Sequence, residues 1–159
     1  QAEHAFRNPI LIAITLSAVG LILFLADRYA AKIKDIGHVG WGTALLIGLS
    51  QALAIIPGVS RSGATMSAAR LLKFKREDAA KFSFLLSIPI IFGAGLLKLP
   101  DLSFGNQTTS LIAGFVSAFI FGYLAIKYLL RYISNHGFAI FAWYRFALAA
   151  VIVIIYLSR

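Results

Sequence analysis

The sequence predicts an all-α integral membrane protein with about four spanning helices and one re-entrant helix–loop–helix. Three observations carry that reading. Of 159 residues, 60% are hydrophobic and only 13% are charged, whereas soluble domains run nearer half apolar and about a quarter charged. Uncharged stretches of the length that crosses a bilayer core, about 20 residues, recur along the chain. A further apolar stretch is broken by Pro57-Gly58 and then by Arg61. A mean hydropathy of +0.85 agrees. A disordered chain, a disulfide-stapled module and an ordinary soluble domain are excluded. Residues 1–159 read as a single transmembrane domain.

The spanning segments follow in order. Asn8 to Ala26 has no charge. Lys81 to Lys98 brackets the second, interrupted by Pro89 and loosened by Gly93 and Gly95. Asp101 to Lys127 brackets the third, which carries Gly114, Ala118 and Gly122 at four-residue spacing. Such a ridge of small residues lets another helix approach closely. Gly137 to Ser158 is the fourth, with Arg145 near its start.

Residues 40–72 behave differently. Pro57-Gly58 stops the first helix. Ser62 to Leu72 reads as a short helix with Ser62 as its N-cap. Eleven residues rise about 16 Å, half the hydrocarbon thickness. The segment is therefore expected to enter and leave on one side. Basic residues test this. With a re-entrant hairpin, one face holds Arg28, Lys32, Lys34, Arg70, Lys73, Lys75, Arg76, Lys81, Lys127, Arg131 and Arg145. The other holds only Arg7, Lys98 and Arg159. If residues 40–56 crossed fully, the split would be ten against five. The re-entrant arrangement obeys the positive-inside rule better. It puts the 28–38, 70–81 and 127–138 loops in the cytoplasm and the C-terminus on the outer face.

The chain has no cysteine, so disulfides, thiolate metal sites and a cysteine nucleophile are excluded. Its net charge is +9. Because the basic residues flank apolar segments, anionic membrane lipid is the expected partner rather than nucleic acid. The chain opens Gln-Ala-Glu-His without the pattern of a signal peptide, and is expected to be a fragment or to have lost an upstream part.

Chemistry concentrates in Pro57-Gly58-Val59-Ser60-Arg61-Ser62-Gly63-Ala64-Thr65. A helix N-terminus favours an anion through its free N–H groups and dipole. Gly58 and Gly63 let backbone approach a ligand. Arg61 can grip two phosphate oxygens in a fork. The candidate catalytic residues are Arg61, Ser60 and Ser62. Pro57, Gly58, Gly63, Thr65 and Gln51 are the candidate substrate-binding residues. The bland alternative has Arg61 reaching the interface or a structural carboxylate, with the serines merely capping a helix. Thr65 can equally bond back to the Arg61 carbonyl, and Gln51 can equally make a helix–helix hydrogen bond. No base stands near Ser60 or Ser62 in the sequence, so a ligand role suits them better than nucleophilic attack. His4, His38 and His136 fall in predicted loops or ends and read as interfacial. Glu77 and Asp78 suit the N-terminal end of the next helix. No metal ligands are identified.

Gly48-Leu49-Ser50-Gln51-Ala52-Leu53-Ala54-Ile55-Ile56, running into the stretch above, resembles the undecaprenyl-pyrophosphate phosphatase family, also called the bacitracin-resistance family. Its signature P-G-x-S-R-S-x-x-T is matched at every fixed position. Phe82-Ser83-Phe84-Leu85-Leu86-Ser87-Ile88-Pro89 is similar to the family's next helix. The resemblance implies inverted repeats, each with a re-entrant hairpin. It implies hydrolysis of C55 pyrophosphate to the monophosphate and phosphate at the outer face of the bacterial cytoplasmic membrane. That reaction recycles the carrier for peptidoglycan synthesis and confers bacitracin resistance. It also implies a divalent cation, magnesium or calcium. The family's earlier motif, glutamates spaced E/Q-x-x-x-E before a Ser- and His-containing loop, is not found here. The chain thus resembles the C-terminal portion, the second repeat, and would contribute half of a site. A homodimer or a separate N-terminal half would complete it. Two rivals stand beside the phosphatase. Broken helices aimed at an anion also suit a lipid transporter or flippase, and a half-site suits a non-catalytic lipid-binding fragment.

Overall fold

A computed structural model describes residues 8–101 and 108–158. Among them are six α-helices: α1 (Pro9–Tyr29), α2 (Trp41–Ala52), α3 (Arg61–Leu71), α4 (Arg76–Lys98), α5 (Thr108–Asn135) and α6 (Ala139–Leu157). Short 3₁₀ turns occupy Ile36–His38, Leu53–Ile55 and Leu99–Asp101. The described residues contain no strand, only an isolated bridge between Lys34 and Phe74. Helices α1, α4, α5 and α6 are long and apolar enough to cross a membrane. The chain is a multi-pass membrane protein.

Helix α1 starts where Asn8 Oδ1 accepts the Ile10 N–H at 2.9 Å and Pro9 takes the first helical position. It runs past Ala26 to Tyr29, because Asp27 is buried rather than solvated. Helix α4 begins at Arg76, one turn ahead of the apolar span that Lys81 brackets. Glu77 and Asp78 lie in its first turn, and Lys81 pairs with Glu77 at 2.6 Å. Pro89 is accommodated within it. The start expected for the third span lies partly outside the described residues.

Helices α1 and α6 pack antiparallel. Gly20 lies against Ala142, Arg145 and Phe146, and the Phe138 N–H donates to Asp27. Helices α2 and α3 form a hairpin whose two ends meet. The Ile33 and Lys34 N–H groups donate to the Lys73 carbonyl at 3.1 and 3.0 Å, and Lys75 N–H donates to the Lys34 carbonyl at 2.8 Å. Helix α3 closes with Lys73 at φ 71. The Lys73 N–H donates to the Arg70 carbonyl and the Phe74 N–H to the Ala69 carbonyl. This is the Schellman geometry, and the buried Phe74 supplies its apolar contact to Ala69. The hairpin tip, by contrast, reaches Ile12 and Thr15 in the other half of α1.

Helix α3 is the element most enclosed by its neighbours. Gly63 through Ser67, Ala69 and Arg70 are all buried. Met66 joins Leu23, Ala80, Ile133 and Phe138 in one core cluster. Ala69 joins Ile47, Phe74 and Ala79 in another. Helix α5 is the opposite case. Its one buried residue among those described is Ile133, and a Cβ on Gly114 or Gly122 would meet no atom within 4 Å. The small-residue ridge is therefore not packed by this chain's described residues.

Candidate functional site

The N-terminal end of α3 is built by a turn that only glycine fits. Gly58 has φ +87, and a Cβ there would fall 2.1 Å from Thr15 Oγ1 and 2.7 Å from the Ile12 carbonyl. Thr15 Oγ1 donates to the Pro57 carbonyl at 2.7 Å, pinning the tip to α1. The chain then straightens, and Ser60 (φ −68, ψ 125) becomes the N-cap. Its Oγ accepts the Gly63 N–H at 3.2 Å and its carbonyl accepts the Ala64 N–H at 2.9 Å. The cap is thus Ser60, not Ser62. The tip turn ends early enough to leave Ser60 extended, so Arg61 and Ser62 lie inside the first helical turn. Their own N–H groups have no intrahelical acceptor.

The structure brings most of the candidate residues together. Ser60 Oγ and Ser62 Oγ lie 3.3 Å apart. No carboxylate or imidazole hydrogen-bonds to either hydroxyl among the described residues. Arg61 is half-buried, and its guanidinium has no hydrogen-bond or ion-pair partner among the described residues. Thr65 is 1% exposed. Its hydroxyl lies 3.0 Å from the Arg61 carbonyl and 2.7 Å from Ser83 Oγ, tying α3 to α4. Gln51 sits near the end of α2 with Oε1 buried and unpartnered among the described residues. Of the histidines, His38 pairs with Asp35 at 2.5 Å. His136 stacks on Tyr132 with centroids 4.4 Å apart. His4 lies outside the described residues.

Sequence reasoning missed Arg145, which it assigned to the basic membrane face. Arg145 Cβ instead lies at the level of Gly20, midway along α1. The guanidinium rests on the first turn of α3. A Cβ on Gly63 would fall 2.3 Å from Nη1 and 2.6 Å from Nη2. Nη1 is buried with no partner among the described residues. Arg145 and Ser62 line one cavity of about 150 Å³, whose other walls include Leu23, Met66, Phe84 and Phe138. The available signal was an arginine within an apolar span, which marks a functional position by default.

A second basic cluster has a different character. Asp27 accepts from Arg76 Nε at 2.6 Å and Nη2 at 2.8 Å, from Arg70 Nε at 3.3 Å, and from the Phe138 N–H at 3.0 Å. Arg70 also donates to the carbonyls of Asp27, Ala30, Ala31 and Phe74. Each nitrogen of the Arg70 guanidinium and both oxygens of Asp27 are engaged within the protein, and the cluster locks the far end of α3.

A model of the family described as bacitracin resistance protein BacA matches residues 1–151. The chain belongs to that family. It is 47% identical, along its whole length, to the undecaprenyl-diphosphatase of Pelotomaculum thermopropionicum, covering 60% of that protein. It is 49% identical to the undecaprenyl-diphosphatase of Moorella thermoacetica, covering 61%. It is 47% identical over 157 residues to that of Desulforudis audaxviator, covering 60%. The chain thus spans about three-fifths of these relatives. As for the divalent cation that the family resemblance implies, no three of His, Cys, Asp and Glu cluster among the described residues. Guanidinium and hydroxyl groups at the hairpin tip suit an anion and do not themselves form a cation site.

Proposed function

We propose that this chain supplies the Arg- and Ser-bearing half of a membrane phosphatase site acting on a polyprenyl pyrophosphate, with undecaprenyl pyrophosphate as the substrate the relatives' names suggest. One observation carries the proposal. A capped helix N-terminus presents free backbone N–H groups, two hydroxyls and Arg61, unpartnered among the described residues, at the end of an apolar hairpin. All of these groups donate, so the arrangement calls for an anion at membrane depth.

Hydrolysis adds water at the terminal phosphorus and breaks its bond to the bridging oxygen. That oxygen and its charge stay on the prenyl phosphate, and phosphate leaves. Arg61 offsets the charge on the transferring group. Ser60 and Ser62 orient phosphate oxygens. The attacking group and its base come from the portion of the relatives that this chain does not span, from a separate N-terminal half or from a second copy. No step in this chain is assigned to a cation. The hairpin dips from and returns to the basic, cytoplasmic face of the bacterial inner membrane, with the C-terminus outside. The consequence is carrier recycling for peptidoglycan synthesis and resistance to bacitracin.

The test is phosphate release from C55 pyrophosphate in detergent with magnesium, using this chain together with the remaining part of a relative. Release that falls at least about a hundredfold in Arg61→Ala is expected. Release indifferent to Arg61→Ala overturns the assignment. Passage of intact lipid across a sealed vesicle, with no phosphate freed, favours a carrier instead.

A further inference from the structure

We infer that Arg145 is a second anion-binding residue of this cradle, and that it makes the site prefer a diphosphate to a monophosphate. The inference rests on the phosphate reading of the hairpin tip. The charge inventory motivates it. Two arginines from different elements meet at the first turn of α3: Arg61 is its first residue, and the Arg145 guanidinium reaches the turn from α6. The helix end is itself electropositive. The carboxylate of Asp27 is taken by Arg70 and Arg76, and Arg145 has no ion pair among the described residues. Holding a partly buried cation beside another positive end is costly unless an anion joins them.

Gly63 leaves room for the approach. A Cβ at that position would fall 2.3 Å from Arg145 Nη1, so the guanidinium could keep this place only beside a glycine. Arg145 therefore lies flat on α3 backbone, with Nη1 turned into protein rather than lipid. The cavity it shares with Ser62 has apolar walls, so water screens the charge poorly there. A diphosphate has two phosphoryl groups and can meet both arginines. A monophosphate, carrying one, meets Arg61 and the helix end and forfeits Arg145. The enzyme's product would then bind less well than its substrate.

The experiment measures binding of a short-chain prenyl pyrophosphate and of the matching prenyl monophosphate to this chain in detergent micelles. Wild type, Arg145→Gln, Arg145→Lys and Arg61→Gln are compared, with thermal melting followed alongside. Wild type is expected to favour the diphosphate at least about tenfold, the scale of one charged hydrogen bond. Arg145→Gln is expected to erase that ratio by weakening the diphosphate alone, and to melt no lower than wild type without ligand. Arg145→Lys is expected to restore part of the ratio. Arg61→Gln is expected to weaken both lipids. An unchanged ratio in Arg145→Gln overturns the role of Arg145 while leaving the phosphate cradle standing. So does a parallel loss of both affinities with a lowered melting temperature, which would mark Arg145 as structural. Failure of the wild type to bind either lipid overturns the cradle reading itself, and this inference with it.

Discussion

The two ends of α3 carry the same kind of charge and treat it in opposite ways. At the C-terminal end, Arg70 is wholly buried and every donor it offers meets the Asp27 side chain or a backbone carbonyl. At the N-terminal end, Arg61 and the buried Nη1 of Arg145 have no partner among the described residues. One helix of eleven residues carries a closed ion cluster at one end and an open one at the other. Burial of a charge is thus no guide to function by itself. What distinguishes the two is whether the protein completes the hydrogen bonding internally. A completed cluster fixes position. An incomplete one, set against a helix N-terminus, is what the proposed phosphate site requires.

The contrast breaks most visibly at Asp27. Asp27→Ala removes the single carboxylate that Arg70, Arg76 and the Phe138 N–H share. Stranding buried cations in this way costs about 3–5 kcal/mol. A melting temperature lowered by many degrees in detergent is expected, before any question of activity arises. Arg61→Ala should leave the same melting curve essentially where it was, because Arg61 has no partner to lose among the described residues. If Asp27→Ala melts like wild type, the closed cluster is not what holds this end of the helix.

The hairpin tip offers a middle-sized test. Gly58→Ala asks a side chain to occupy a positive φ and to sit on Thr15 and the Ile12 carbonyl. Left-handed strain and overpacking together amount to about 3 kcal/mol. The tip is expected to move away from α1 rather than the whole bundle to unfold, since the core clusters lie on the other side of α3's first turn. Amide exchange should therefore rise at Val59, Gly63 and Ala64, whose N–H groups the tip turn and the Ser60 cap hold, and stay low in α3's last turns. Uniform loss of protection would mean that the tip and the closed cluster form one cooperative unit.

Why some of this was legible in the sequence follows from the range of the interactions. The four spans announce themselves as long apolar runs, because a bilayer demands them locally. The proposed anion cradle is equally local, with cap, arginine, hydroxyls and glycines inside nine consecutive residues. Asp27 and Arg70 are 43 residues apart, and Asp27 falls one residue beyond an apparently finished apolar run. Arg145 looks like a topological charge until Gly63 shows which helix it lies on. Even the cap was displaced by two residues, because both Ser60 and Ser62 satisfy the pattern and only the tip geometry chooses between them.

The smallest effect is expected at a pair that a ranking by distance would put first. His38 Nδ1 and Asp35 Oδ1 are 2.5 Å apart, closer than any contact Asp27 makes. Both side chains are exposed, and water competes for each. The hydrogen bond from His38 holds the Asp35 carboxyl below its ordinary value. A depressed carboxylate contributes above its unfolded value and loses that contribution as pH falls through the folded one. Any stabilisation from Asp35 is therefore present at neutral pH and fades only in acid. Asp35→Asn should nonetheless melt with wild type at neutral pH, since solvent and salt screen an exposed pair. Whatever small difference is resolved should disappear on acidification. A large loss at pH 7 would show that the 3₁₀ turn ahead of α2 anchors the hairpin through this pair, and that distance rather than enclosure ranks the charges in this protein.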